Sequence, residues 1–336
     1  MRIRNFNKLV TTLGLIACLA LVGCGGGGGE STDGSSAEGE NSEDRGLIGV
    51  SLLTLQNPFF KVIGDTIESE AAGYGYSVEV VSGDQDAKKQ YDQVQDFIVK
   101  KAAAIVLSPC DSKAVVTAIK EANNAGIPVF TVDIPCSEPG VEIVSQIATD
   151  NYLGGKLAGQ AMVEVLGSTG GKVVVLDHNM VESCIQRVKG FREILDGHNA
   201  ASDARIEIVA TLPSGGARDV GFKSTEDALQ SNPDMNAVFA INDPSALGAY
   251  AALKKAGKEK EVTIIGFDGQ PDGKQAILEG KIYADPIQFP DKMGVEIVKS
   301  IVAHSKGEAV EKENLIAPAL YKKEDAEKDP SLQKTP

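Results

Sequence analysis

Residues 47–65 read LIGVSLLTLQNPFFKVIGD. The run from Leu47 to Leu53 is apolar enough for a strand buried on both faces, and the residues after Pro58 follow a helical pattern. Asn57 is a good N-cap and Pro58 a favoured first helical residue, so the stretch predicts strand, short loop, helix. Phe59 and Phe60 then fall on the first helical turn. Adjacent helical residues point about 100° apart, so a core stripe holds both rings only if it is broad. Core packing accounts for one ring readily; the second is free to face something else.

Working outward, apolar strands alternate with amphipathic helices. Strands are expected at Gly49–Leu53, Ser77–Val81, Ala103–Leu107, Pro128–Val132, Lys172–Leu176, Ile206–Ala210, Ala237–Ala240 and Val262–Gly266. Helical patterns such as Asp86–Lys101 and Ser112–Ala125 lie between them. This is βαβ repetition, an α/β fold with parallel sheets covered on both faces. The segment GSTGGK at 167–172 lacks the spacing of a phosphate-binding loop and reads as a turn before a strand.

The first 24 residues have a basic start at Arg2, Arg4 and Lys8, a short apolar run from Leu9 to Val22, and the ending Leu21-Val22-Gly23-Cys24. The segment resembles a bacterial lipoprotein signal in which Cys24 becomes the lipidated first residue. The expected location is therefore outside the cytoplasm, anchored by lipid to a bacterial membrane and facing periplasm or cell exterior. Residues 25–46 are Gly/Ser-rich and acidic, a flexible tether. The net charge of −14 and the absence of a basic patch argue against a nucleic-acid partner. Cys110, Cys136 and Cys184 remain, with no metal-ligand spacing, and the histidines show no grouping. Export permits a Cys110–Cys136 disulfide between loops at one sheet edge; three buried free thiols are the alternative.

Ligands of open α/β sheets sit beyond the carboxyl ends of the strands. Polar residues expected there are Asn57, Asp133, Asn242, Asp268 and, near the end, Gln288. Asp243, followed by Pro244, has the simpler explanation of an N-cap.

The motifs NPFF, LSPCDSKAV, IATDNYLGGKLAG, VFAINDPSALGA, IIGFDGQPDG and IQFPDKMG, in this order, resemble the ribose-binding-protein family, solute-binding proteins of sugar ABC importers. The resemblance covers Leu47 to about Tyr321. It implies two doubly wound lobes joined by a three-segment hinge: 47–149 plus 289–317, and 150–288 plus 318–336. It implies ligand contacts at Asn57, Phe59, Phe60, Asp133, Asn242, Asp268 and Gln288, with a ring stacking on the C–H face of a sugar. The family's arginine positions are taken by Ile134 and Ile185 and an aromatic position by Gly216, so two cationic donors and a stacking face are expected to be missing. Asn179 and Glu182 are candidate replacements. The expectation is a monomeric receptor for a monosaccharide or polyol other than ribose, docking on an ABC permease, with no cofactor, metal or catalytic residue. An amino sugar or other cation is the alternative ligand, and a chemoreceptor or sensor the alternative partner.

Overall fold

The structure is a computed structural model and describes residues 44–332. The expected signal segment with Cys24, residues 25–43 of the tether, and 333–336 lie outside the described residues.

The first half of the chain runs β1 (Leu47–Leu52), α1 (Pro58–Ala72), β2 (Ser77–Ser82), α2 (Ala87–Val99), β3 (Ala104–Leu107), α3 (Val116–Asn124), β4 (Val129–Val132) and β5 (Ser145–Thr149). It continues through α4 (Asn151–Leu166), β6 (Gly171–Asp177), α5 (Glu182–Ala201), β7 (Ile206–Pro213), α6 (Arg218–Ser231), β8 (Ala237–Ala240), α7 (Asp243–Lys255), β9 (Thr263–Ile265), α8 (Pro271–Leu278) and β10 (Ala284–Ile287). The last elements are α9 (Pro290–Ser305), β11 (Glu313–Ile316), β12 (Ala319–Lys322) and α10 (Lys323–Ala326).

These strands form two sheets. The first has the order β11-β5-β4-β3-β1-β2 and is parallel throughout. The second has the order β12-β10-β9-β8-β6-β7, parallel except for the β10–β12 pair. The chain passes between the sheets after β5, after β10 and after β11. In each sheet the strand order reverses beside the first strand of that half, β1 or β6, so the loops leaving those strands open onto a crevice.

Local chemistry explains the elements that frame this crevice. The Asn57 side chain accepts from the Phe59 N–H at 3.0 Å and begins α1, with Pro58 in the first turn. Asp86 does the same for α2 through the Lys88 and Lys89 N–H groups. Helices α4 and α5 pack closely because glycines face each other's backbone. A methyl group on Gly155 would come within 2.0 Å of the Arg187 carbonyl oxygen, and one on Gly190 within 2.1 Å of that of Tyr152.

The structure corrects two local expectations and decides between the alternatives for a third. The cap of α7 is Asn242, whose side chain accepts from the Ser245 N–H at 3.0 Å; Asp243 is the first helical residue and is buried. Of the two alternatives for the thiols the structure has the second: Cys110, Cys136 and Cys184 are free and buried. Cys110 packs with Leu52 and Leu53 in one apolar cluster, whereas Cys136 belongs with Val94, Phe97 and Ile119 in another, so no bond joins them. Finally, β5, β10, β11 and β12 are strands that the hydropathy pattern did not mark.

Candidate functional site

A cavity lies where the loops beyond the two sheets meet. Asn57, Phe59, Phe60, Asp133, Ile134, Asn242, Asp268 and Gln288 all line it. So does Gly216. Asn179, Glu182 and Ile185, the candidate extra contacts, do not. Asn179 is exposed. Glu182 opens α5, and its backbone N–H donates to Ser112 Oγ across the cleft at 3.0 Å. Ile185 is only half-buried, on the helix face turned from the cavity.

The first-sheet wall combines rings with one carboxylate. Phe59 and Phe60 are both buried and meet edge to face, with centroids 5.3 Å apart. Such a pair is rigid and apolar, and suits the C–H face of a ligand. The Asn57 oxygen is occupied by its cap bond, so its Nδ2 amide is what it can offer a ligand. Asp133 follows β4 in a left-handed conformation, φ 64°, which Asp tolerates better than most residues. Its Oδ1 is buried without a partner. Burial drives its pKa up to about 7, with Arg187 opposing and Asp268 adding to the rise. Ile134, beside it, is buried and apolar.

The second-sheet wall is wired in advance. Asp268 is buried at φ 105°. It accepts from Arg187 Nη1 at 3.2 Å, Gln288 Nε2 at 2.7 Å and Gln270 Nε2 at 3.1 Å. Burial raises its pKa, while Arg187 and the two amides favour the carboxylate. Arg187 is 4 % exposed, stacks 3.9 Å above the Phe267 ring, and donates to Asn151 Oδ1 and the Ile241 carbonyl, each at 2.7 Å. Gln288 in turn accepts from Thr149 Oγ1 at 2.7 Å. Thr149 ends β5 and Gln288 follows β10, so the network ties the cavity to two of the passages between sheets. Non-glycine residues at positive φ cost energy and cluster where a site over-determines them; the two pocket aspartates fit that pattern.

Arg187 corrects the expectation that both cationic donors are lost. Helical spacing finds it: Cys184, Arg187 and Phe191 form the buried stripe of α5, while Ile185 lies about 100° beyond Cys184. His178 was also missed. It lines the cavity from the loop after β6, its Nε2 is buried without a partner, and burial lowers its pKa against the pull of Asp111, so the ring is neutral at pH 7. Cys184 lines the same wall, and burial pushes its thiol up to about 12, leaving it unreactive.

Ser112, outside the cavity lining, links the two walls. Its N–H donates to the Met180 carbonyl at 3.1 Å and its hydroxyl to the Pro135 carbonyl at 2.9 Å. The two walls are therefore in contact around the cavity. Among the described residues no group of acidic, histidine or cysteine side chains has a metal-binding arrangement.

Comparison with known proteins places this geometry. Residues 48–309 match the pattern of the periplasmic binding protein domain. The chain is 35 % identical over 308 residues to the ribose import binding protein RbsB of Escherichia coli (strain K12), covering 91 % of this chain and 95 % of that one. It is 36 % identical over 237 residues to the D-apiose import binding protein of Actinobacillus succinogenes, covering 70 % and 74 %. Among solved structures, an ABC transporter solute-binding protein from Bacillus halodurans C-125 with bound myo-inositol superposes with a TM-score of 0.77 at 28 % identity, over 86 % of this chain and 98 % of that one. The chain belongs to the periplasmic binding protein family, in its ribose-binding-protein-like sugar-binding group, and is a binding protein rather than an enzyme.

Proposed function

We propose that this protein is the exported, lipid-anchored receptor of an ABC importer, and that it encloses a monosaccharide or polyol other than ribose between two lobes. The lobes are 47–149 plus 289–317 and 150–288 plus 318–336. The observation that carries the proposal is the composition of one cavity. Phenylalanine rings occupy one side, and Asn57, Asp133, Arg187, Asn242 and Asp268 supply donors and acceptors around it. Sugars and polyols present C–H faces and hydroxyl edges, and this set serves both. The named ligands of the relatives, ribose, apiose and myo-inositol, are of the same chemical kind.

Ile134 and Gly216 give this cavity an apolar edge and an open side, which favours a solute other than ribose. Contact with a permease, a monomeric state and anchoring through Cys24 complete the proposal. The unpartnered Asp133 oxygen favours an amino sugar as a second reading, but the Arg187 guanidinium in the same cavity opposes a cation.

A thermal-shift panel of pentoses, hexoses, inositols, polyols and amino sugars tests the ligand class. At 100 times its dissociation constant a true ligand adds about 2.7 kcal/mol, a melting shift of roughly 5–10 °C for a chain of this size. A shift with cationic amines alone refutes the neutral solute, and the tightest shift with ribose refutes its exclusion. Cys24→Ser should release the protein from membranes; unchanged attachment refutes the anchor.

A further inference from the structure

Two buried side-chain polar atoms of the cavity lining have no partner among the described residues. One is Asp133 Oδ1, on the first-sheet wall. The other is His178 Nε2, on the second-sheet wall, and the ligand set proposed above does not use it. A buried nitrogen without a partner has lost its hydration and gained nothing in return. A leucine or phenylalanine would fill the same wall without that cost, so packing alone does not account for a histidine here. The fold also puts this residue where a ligand is expected. The order of the second sheet reverses beside β6, as that of the first reverses beside β1. The loop leaving β1 carries Asn57 and leads into the Phe59–Phe60 pair; the loop leaving β6 carries His178.

The backbone under the ring is tied down on both sides. The His178 N–H donates to Asp177 Oδ1 at 2.7 Å, and the Val181 N–H donates to the His178 carbonyl at 3.4 Å. Across the cleft, Ser112 holds the same loop twice, through the Met180 carbonyl at 3.1 Å and the Glu182 N–H at 3.0 Å. A bond made by the ring therefore costs little further ordering. The neutral imidazole either donates or accepts at Nε2, according to its tautomer. An ether oxygen can only accept and an ammonium only donate; a hydroxyl answers both forms. We infer that His178 is a specificity-determining residue: its Nε2 bonds one hydroxyl of the enclosed solute, and a solute with only hydrogen at that position is discriminated against. The inference rests on the sugar-binding reading of the cavity and adds a ligand requirement to it.

The test is calorimetric titration of the whole protein with the best ligand of the panel and each of its monodeoxy analogues. The proteins are wild type, His178→Phe, which keeps a planar ring without the nitrogens, and His178→Leu, which fills the wall with less bulk. Either variant suffices, and its ligand-free melting temperature checks that it is folded. Wild type should bind at least one monodeoxy analogue about tenfold or more weakly than the parent, the loss expected when a buried nitrogen is left unmet. In the variants the parent should weaken by about tenfold, and that same analogue should bind within about threefold of it. A side chain that only supported the wall would weaken parent and analogue by one factor and leave their ratio as in wild type. An unchanged ratio for every monodeoxy analogue overturns the inference and leaves sugar binding standing. If wild type binds no sugar or polyol, the sugar-binding reading falls first and takes this inference with it.

Discussion

On the second-sheet wall of the cavity, Asp268 accepts from Arg187, Gln288 and Gln270 before any ligand arrives. On the first-sheet wall, Asp133 is equally buried, yet its Oδ1 has no partner. Two carboxylates in one cavity thus do different work. A buried charge that is fully bonded holds its surroundings in place; a buried charge that is not bonded costs free energy until something donates to it. Asp268 organises the wall and the passages between sheets through Gln288 and Thr149. Asp133 is the group that gains most when a hydroxyl enters.

The largest effect expected from this contrast is at Arg187. Arg187→Ala strands the Asp268 carboxylate in the interior and should destabilise the protein by about 3–5 kcal/mol, the usual result of removing one partner of a buried pair. Urea unfolding measures it, and a loss below about 1 kcal/mol would mean that the network is not structural. Asp133→Asn is expected to behave in the opposite way: stability unchanged or higher, and ligand affinity lower by about 1.5–3 kcal/mol for a lost charged hydrogen bond. If both variants lost stability equally, the two walls would not differ as described.

Protonation sharpens the comparison further. Asp243 and Asp285 form a carboxyl pair buried within the second-sheet lobe, not in the cavity. Burial and the mutual repulsion of the two carboxyls raise Asp243 well above its ordinary value. Burial also raises Asp285, to about 7, with the neighbouring Asp243 opposing. Folded pKa values above the unfolded value mean that the folded state binds more protons. This stability is fully present below about pH 4 and is lost as the pH rises towards 7, at up to about 1.4 kcal/mol per pH unit for each proton. Asp285→Asn should flatten the slope of stability between pH 4 and 7. Asp133→Asn should flatten it as well, because burial raises Asp133 to about 7 too. The smallest effect belongs to Asn179→Ala, an exposed change expected to leave both stability and affinity within about 0.5 kcal/mol.

How far the sequence was legible follows from which signals were local. The strands β1, β3, β4 and β8 are continuous apolar runs, and their patterns mark them. The strands that carry the passages between sheets are short and mixed, SQIAT, ADPI, ENLI and ALYK. They are strands because neighbours fix them, which no local pattern reports. The polar residues at the ends of marked strands came through in the same way: Asn57, Asp133, Asn242 and Asp268 follow from where those strands stop, whereas Gln288, after the unmarked β10, was placed only by the proline that starts the next helix. Asn57 and Asn242 show that capping and cavity lining are not alternatives, since each does both. Arg187 was obscured because matching by motif position pointed to Ile185, whereas the 3.6-residue period of α5 turns Arg187 inward. Whether Cys110 and Cys136 pair was left open by the sequence, because loop proximity in topology does not say which face of the sheet a side chain enters.

The most direct test of the account is a calorimetric titration of the best panel ligand into wild type and Asp133→Asn at pH 6 and pH 8. A hydroxyl donating to the Asp133 carboxylate stabilises its deprotonated form, and burial raises its pKa to about 7. Wild-type affinity should therefore rise from pH 6 to pH 8, with proton release at the lower pH, while Asp133→Asn binds more weakly and with no such dependence. Equal affinity of the two proteins at both pH values would contradict the assignment of this cavity as the ligand site.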